Sequence, residues 1–199
     1  FAAREIGCRV TGMTISKEEF DFARERIARA GLTDKVEFKL QDYRDEQGRY
    51  DRIASIEMFE AVGEKYWPVF FGKVRDSLKP GGTAGMQIIT INEAAYPLYR
   101  KRPDFIQRYI FPGGMLPTPA LLRSLGADHG LSFLRERVFA QDYARTLADW
   151  RDRFWSSWDR IVPLGFDERF RKLWEFYLHY CEAGFRAEYI DVRQVVYKA

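Results

Sequence analysis

Apolar and polar residues change period repeatedly along the first 91 positions. Cys8–Thr14 reads as a short strand. Ser16 then fits a helix N-cap, with Glu19 three residues on completing a capping box. Phe20, Ala23, Ile27 and Ala30 recur at helical spacing, and Gly31 closes the helix. Val36–Leu40 alternates as a second strand, and Tyr50–Ile56 as a third. From Glu64 to Leu78 a helix is predicted with Trp67, Phe70, Phe71, Val74 and Leu78 on one face. Lys79-Pro80-Gly81-Gly82 should break it sharply. Ala84–Ile91 is a near-continuous apolar run, expected to be a strand buried on both faces, and Gln87 inside it must find a partner or line a cavity. Strand and helix alternate throughout, which predicts βαβ units, a parallel sheet and an α/β fold.

Residues 92–119 interrupt that rhythm with Pro97, Pro103, Pro112, Pro117, Pro119 and Gly113-Gly114. Tyr96, Tyr99, Phe105, Tyr109, Ile110, Phe111, Met115 and Leu116 argue against disorder. Such a loop reads as a lid over a pocket, with an insertion packed on the core as the alternative. Pro119 should start a short helix to about Leu125, and Leu131–Phe139 another strand. A long helix from Asp142 carries Tyr143, Leu147, Trp150, Phe154, Trp158 and Ile161 on one stripe and ends at Pro163-Leu164-Gly165. Asp167 caps the next, with Phe170, Leu173, Trp174, Tyr177 and Cys181 inward and Gly184 at its end. Tyr189–Tyr197 is a last strand.

The stretch Ser55–Gly63 places Glu57 and Glu60 at or just past the end of the third strand, where open α/β sheets bind ligands. Solvated loop acids are the plain alternative. The 199 residues suit one domain, with 46% hydrophobic and 16% aromatic content for its core. A formal charge of +3 without a basic block gives no reason to expect nucleic acid. No run is long enough for a membrane span, and none reads as a secretory signal. Cys8, Cys181, His129 and His179 are too few for a disulfide framework or a multi-histidine metal site, so a reducing cytoplasm is the default and no metal is expected. No phosphate-binding loop or Ser-His-Asp set is present.

Asp42-Tyr43 and the Leu78–Gly82 turn resemble the later half of a class I methyltransferase, whose cofactor is S-adenosylmethionine. Gly12-Met13-Thr14-Ile15-Ser16, Leu40–Asp45 and Asp51–Glu60 sharpen this into a resemblance to the cyclopropane-fatty-acyl-phospholipid and mycolic acid cyclopropane synthase family. Arg108–Gly114, Asp142–Leu147 and Phe185-Arg186 extend it to the C-terminus. It implies a Rossmann-like methyltransferase sheet with a helical, aromatic lid insertion at about 92–130. It also implies methyl transfer to the cis double bond of an unsaturated phospholipid acyl chain, then ring closure with bicarbonate as proton acceptor. Glu60, Gln87, Ile89 and Tyr143 would surround that ion. Thr14, Ile15, Ser16, Glu19, Asp42, Tyr43, Arg44 and Ile56 would meet the cofactor. Peripheral contact with the inner membrane surface and a homodimer are the associations considered.

The sequence departs from the family pattern. Ala61 and Gln87 stand where many members have histidine. Phe1–Glu5 reads as the end of the helix that follows the family's glycine-rich loop, so that loop, its strand and the N-terminal region with a further cysteine are expected to lie upstream of this stretch, which is then the C-terminal part of one methyltransferase domain. Without that central strand, residues 8–13 and 50–56 should have no intervening partner, and these 199 residues alone should bind the cofactor weakly or not at all. The alternatives are a related C- or N-methyltransferase without ring closure, and a non-catalytic lipid-binding fragment.

Overall fold

In a computed structural model, residues 1–199 divide into two units, Phe1–Gly48 and Arg49–Ala199. The first holds a π-helical turn at Ala2–Ile6, strand β1 (Val10–Thr14), helix α1 (Lys17–Arg29) and strand β2 (Val36–Leu40). β1 and β2 pair in parallel as a two-stranded sheet. Gly12 makes the face of this sheet possible, because a Cβ there would stand 2.6 Å from the Phe38 ring. Only half of the expected capping box forms. Ser16 Oγ accepts Glu19 N, but the Glu19 carboxylate takes the Thr14 hydroxyl instead, and Thr14 Oγ1 accepts Ser16 N.

The second unit contains strand β3 (Tyr50–Ile56), helix α2 (Trp67–Ser77) and strand β4 (Leu78–Ile91), a right βαβ order in which β3 and β4 are parallel. Helices α3 (Tyr96–Tyr99), α4 (Phe105–Tyr109) and α5 (Pro119–Asp128) follow, then β5 (Ser132–Val138). The chain ends with α6 (Ala140–Ser156), α7 (Trp158–Ile161), α8 (Glu168–Arg186) and β6 (Ile190–Lys198). The sheet order is β3-β4-β6-β5, and β6 is antiparallel to both neighbours. Parallel pairing therefore holds for β1–β2 and β3–β4 alone. As expected, β1 and β3 each have a partner on one side only. No helix is long and apolar enough to cross a membrane.

The amphipathic stripe of α2 is buried as predicted, and it fixes the loop before it. Phe59, with no exposed surface, packs on Trp67, Phe70 and Phe71 at centroid distances of 5.4, 5.0 and 5.6 Å. Two strand expectations need correction. β4 starts at Leu78 rather than Ala84, and the Lys79–Gly82 turn is its irregular first stretch, with a register shift against β3. Gly81 absorbs the kink at φ 73, and Gly82 lies where a Cβ would be 3.1 Å from Asp51 O. Nor is β4 buried on both faces. Ala84, Met86, Ile88 and Thr90 are fully buried, while Gln87 and Ile89 share the other, half-buried face.

Two helix ends also differ. The expected Asp142–Ile161 helix breaks at Ser157, whose N–H bonds back to Arg153 O and Phe154 O and tightens the last turn of α6. Gly184 does not end α8; it sits where a Cβ would be 3.1 Å from the Ile190 side chain, so the helix can lie close on β6.

The tightest approach in the unit is at Gly126 of α5, where a Cβ would be 2.5 Å from Tyr197 Cε1. That ring is buried, and its hydroxyl donates to Leu122 O at 2.8 Å, so it has nowhere to go. Gly126→Ala should therefore lower stability by about 1–3 kcal/mol, the usual cost of overpacking. Denaturant unfolding should show a lower midpoint with an unchanged slope.

Candidate active site

β4 outruns β3, and the site grows from that mismatch. The last rung is Glu57 N donating to Gln87 O at 2.8 Å. Glu57 then adopts φ 51, a left-handed conformation that costs a non-glycine residue about 1–3 kcal/mol, and turns the chain away. The next β4 amide on that edge, Ile89 N, has no strand to meet. It donates to Glu60 Oε1 at 2.6 Å instead. One residue pair further on, Ile91 N donates to Pro117 O, and Met115 N donates to Glu60 O. The edge that β3 abandons is thus satisfied by Glu60 and by the end of the proline-rich segment.

Glu57 collects the remaining donors. Tyr143 Oη lies 2.8 and 2.7 Å from its two carboxylate oxygens, and Gln87 Nε2 donates to Oε1 at 2.7 Å. Gln194, opposite Gln87 in the β4–β6 register, donates to Gln87 Oε1 at 2.9 Å. The Glu57 carboxylate, which can only accept, sets which way the Gln87 amide points. Tyr143 is set by a core of Ala144, Leu147, Leu178, Phe185 and Val192, with its ring 4.9 Å from that of Phe185. Burial, with the hydrogen bond and charge of Glu57, pushes its phenol well above the ordinary range, so it remains a donor.

Glu60 is in a different environment. Burial drives its carboxyl up from 4.5 to about 7; the Ile89 amide opposes the shift and the Glu57 charge adds to it. Its Oε2 is buried without a partner. Both carboxyls open on a cavity of about 840 Å³. Apart from them its walls are mostly apolar or aromatic, drawn from β4, α6, α8 and residues 99–116. Tyr177 and Cys181 lie on this wall, both pushed up to about 12 by burial, so neither ionises near neutrality.

Gln87 and Tyr143 meet at Glu57, and the Ile89 amide meets Glu60 beside it. The sequence places Glu57 at the strand end, and the resemblance gives the acid's part to Glu60. Gln194 carries no sequence signal; only strand register finds it. The expected cofactor residues fall at the carboxyl ends of strands. Thr14, Ile15, Ser16 and Glu19 follow β1, and Asp42, Tyr43 and Arg44 follow β2 in the same unit. Ile56, at the end of β3, belongs to the second unit and is 62% exposed. Arg44 grips both Asp42 oxygens through Nε and Nη2 at 2.9 and 2.7 Å and holds that carboxyl below its usual range.

A family profile described as mycolic acid cyclopropane synthetase matches residues 1–195. The tuberculostearic acid methyltransferase UfaA1 of Mycobacterium tuberculosis is 43% identical over 94% of this chain and 44% of its own length. The cyclopropane-fatty-acyl-phospholipid synthase of Escherichia coli is 34% identical over 99% of the chain and 49% of its own. The chain spans about half the length of these relatives. The cyclopropane synthase MmaA2 from Mycobacterium tuberculosis superposes with a TM-score of 0.91 at 25% identity, covering 100% of this chain and 72% of that one. Mycolic acid cyclopropane synthase CmaA1, complexed with SAH and CTAB, gives 0.91 at 24% over the same shares. The fold is the Rossmann-like fold of class I S-adenosylmethionine-dependent methyltransferases. Within that class, the chain belongs to the mycolic acid cyclopropane synthetase family.

The raised Glu60 carboxyl makes stability pH-dependent. The native state holds its proton up to about 7, whereas the unfolded carboxyl releases it near 4.5. Stability should fall as pH rises through that window and level off above it. Denaturant midpoints measured from pH 4 to 8 should show this slope in the parent and a flatter one in Glu60→Gln.

Proposed function

We propose that this chain is part of a methyltransferase that adds a methyl group to the double bond of an unsaturated acyl chain and leaves a methyl branch without closing a ring. The cavity carries this reading. Its volume of about 840 Å³ falls within the roughly 300–1,000 Å³ of pockets that bury a small ligand. Its long apolar wall suits a chain with no polar groups to satisfy, and the carboxyls of Glu57 and Glu60 open on it. S-adenosylmethionine, when bound, supplies an electrophilic methyl. The hydroxyls of Thr14 and Ser16, the Asp42 carboxylate and the Tyr43 phenol form a donor and acceptor set suited to the cofactor's ribose, with Arg44 sharing Asp42.

Methyl addition to an alkene leaves the neighbouring chain carbon positive. Anionic oxygens and ring faces around the cavity stabilise that charge, and the aromatic segment 96–116, acting as a lid, excludes water that would capture it. Leu98, Tyr109 and Phe111 on this segment are exposed and alternate in sequence with exposed Lys101, Arg102 and Arg108. That mixture suits peripheral contact with an anionic lipid surface, from which the acyl chain would enter.

The choice against ring closure rests on the hydrogen bonds. Tyr143, Gln87 and the Ile89 amide, expected to hold bicarbonate, are already donating to Glu57 and Glu60. As arranged, these three donors are engaged by the chain's own carboxylates. The name of the 43% identical relative, a methyltransferase making tuberculostearic acid, agrees with methylation alone. Cyclopropane formation with bicarbonate is the second reading. The partnerless Glu60 Oε2 favours it, because an oxyanion carrying a proton would satisfy that atom.

Mass spectrometry of lipids from a host without its own cyclopropane synthase, expressing the intact protein, tests this. Monounsaturated chains should gain one CH2 and keep a double bond. Tyr143→Phe should slow the reaction by about tenfold to a hundredfold, the worth of a hydrogen bond to a charged group. A CH2 gained with the double bond lost to a ring would replace this reading with the second.

A further inference from the structure

We infer that Glu57 is the proton acceptor of the reaction, a carboxylate built into the chain where a diffusible oxyanion would otherwise be needed; the inference rests on the acyl-chain reading above. Three observations converge on it. The Glu57 carboxylate lines the cavity. It receives donors from two elements far apart in sequence, Gln87 of β4 and Tyr143 of α6, and Tyr143 stands within hydrogen-bond distance of both oxygens. And its backbone is held at φ 51, a conformation that glycine adopts freely and glutamate does not. A glutamate kept at a strained position, with its carboxylate oriented by a phenol and an amide, is an arrangement in which strain accompanies function.

Glu60 does not serve this purpose. Its Oε1 is committed to the Ile89 amide and completes the sheet edge, and burial pushes its carboxyl up. Gln87 is a positioning residue. Gln194 occupies its oxygen, so its Nε2 has only Glu57 to face.

The step balances without a further reagent. The alkene π pair forms the carbon–carbon bond to the incoming methyl as the sulfur–carbon bond breaks, and the adjacent chain carbon becomes positive. A Glu57 oxygen takes a proton from a carbon beside that centre. The C–H electron pair becomes the new double bond. Glu57, now a carboxylic acid, returns its proton to water after product leaves.

The test compares the intact protein with Glu57→Gln and Glu57→Gly on monounsaturated phospholipid vesicles with S-adenosylmethionine, in CO2-free buffer and with added bicarbonate. The parent should run at the same rate in both. Glu57→Gln should lower kcat by about a hundredfold or more, as expected for a lost general base, with cofactor affinity unchanged. Glu57→Gly accepts the φ of 51 and releases both donors toward an anion, so bicarbonate should raise its rate strongly, and bicarbonate alone. A parent that stops in CO2-free buffer and restarts with bicarbonate overturns the assignment and leaves acyl methylation standing. So does a Glu57→Gln variant of parental rate. A parent that methylates no acyl chain under either condition overturns the acyl-chain reading and the assignment with it. The parent's own response to bicarbonate decides the matter even if a variant fails to fold.

Discussion

A strand that stops before its neighbour leaves backbone amides that something else must satisfy. Here β3 ends at Ile56 while β4 continues to Ile91, and each unmet group on that edge recruits a piece of the site. Ile89 N recruits the Glu60 carboxylate, and Ile91 N recruits Pro117 O. Through the second bond, the proline-rich segment is tied to the same edge, and Met115 N closes the loop by bonding to Glu60 O. Tyr96 Oη donates to Glu64 Oε1 and anchors the other end of the segment. An unpaired buried amide costs about 1–3 kcal/mol, so these substitutes are required rather than incidental. The site, the cavity wall and the end of the sheet are one solution to one backbone problem.

Periodicity made most of this scaffold legible. The stripe on α2, the strands at Val36–Leu40 and Tyr50–Ile56 and the caps at Ser16 and Asp167 all depend on neighbours a few residues away. What escaped depends on distant ones. The stretch after Leu78 has turn residues, yet pairing with Tyr50 and the segment beyond makes it the bulged start of a strand. Gly184 has the look of a helix end and is instead the close contact that Ile190 needs. Glu57 escaped as a site residue because its partners lie 30 and 86 positions away, and its positive φ gives no signal in a glutamate's name. The family resemblance names Glu60, Gln87, Ile89 and Tyr143, and the hydrogen bonds among them add Glu57 to that set.

The two acids divide along lines their surroundings impose. Glu57 takes its donors from side chains, Gln87 Nε2 at 2.7 Å and Tyr143 Oη at 2.8 and 2.7 Å. Glu60 is buried, has one amide for company and holds its proton to about 7. Glu60 can therefore sit neutral beside an apolar chain without the full cost of a buried anion.

Position 87 shows why this division needs a glutamine. Histidine there would bring a second titrating group and could take up the proton itself. Glutamine cannot titrate, so it can only orient. Turning its amide over would set Gln87 Oε1 against the Glu57 carboxylate, so the acid fixes the amide and Gln194 follows by donating to its oxygen. The result is a carboxylate held by a phenol and an amide in a largely apolar cavity, at the cost of one strained residue.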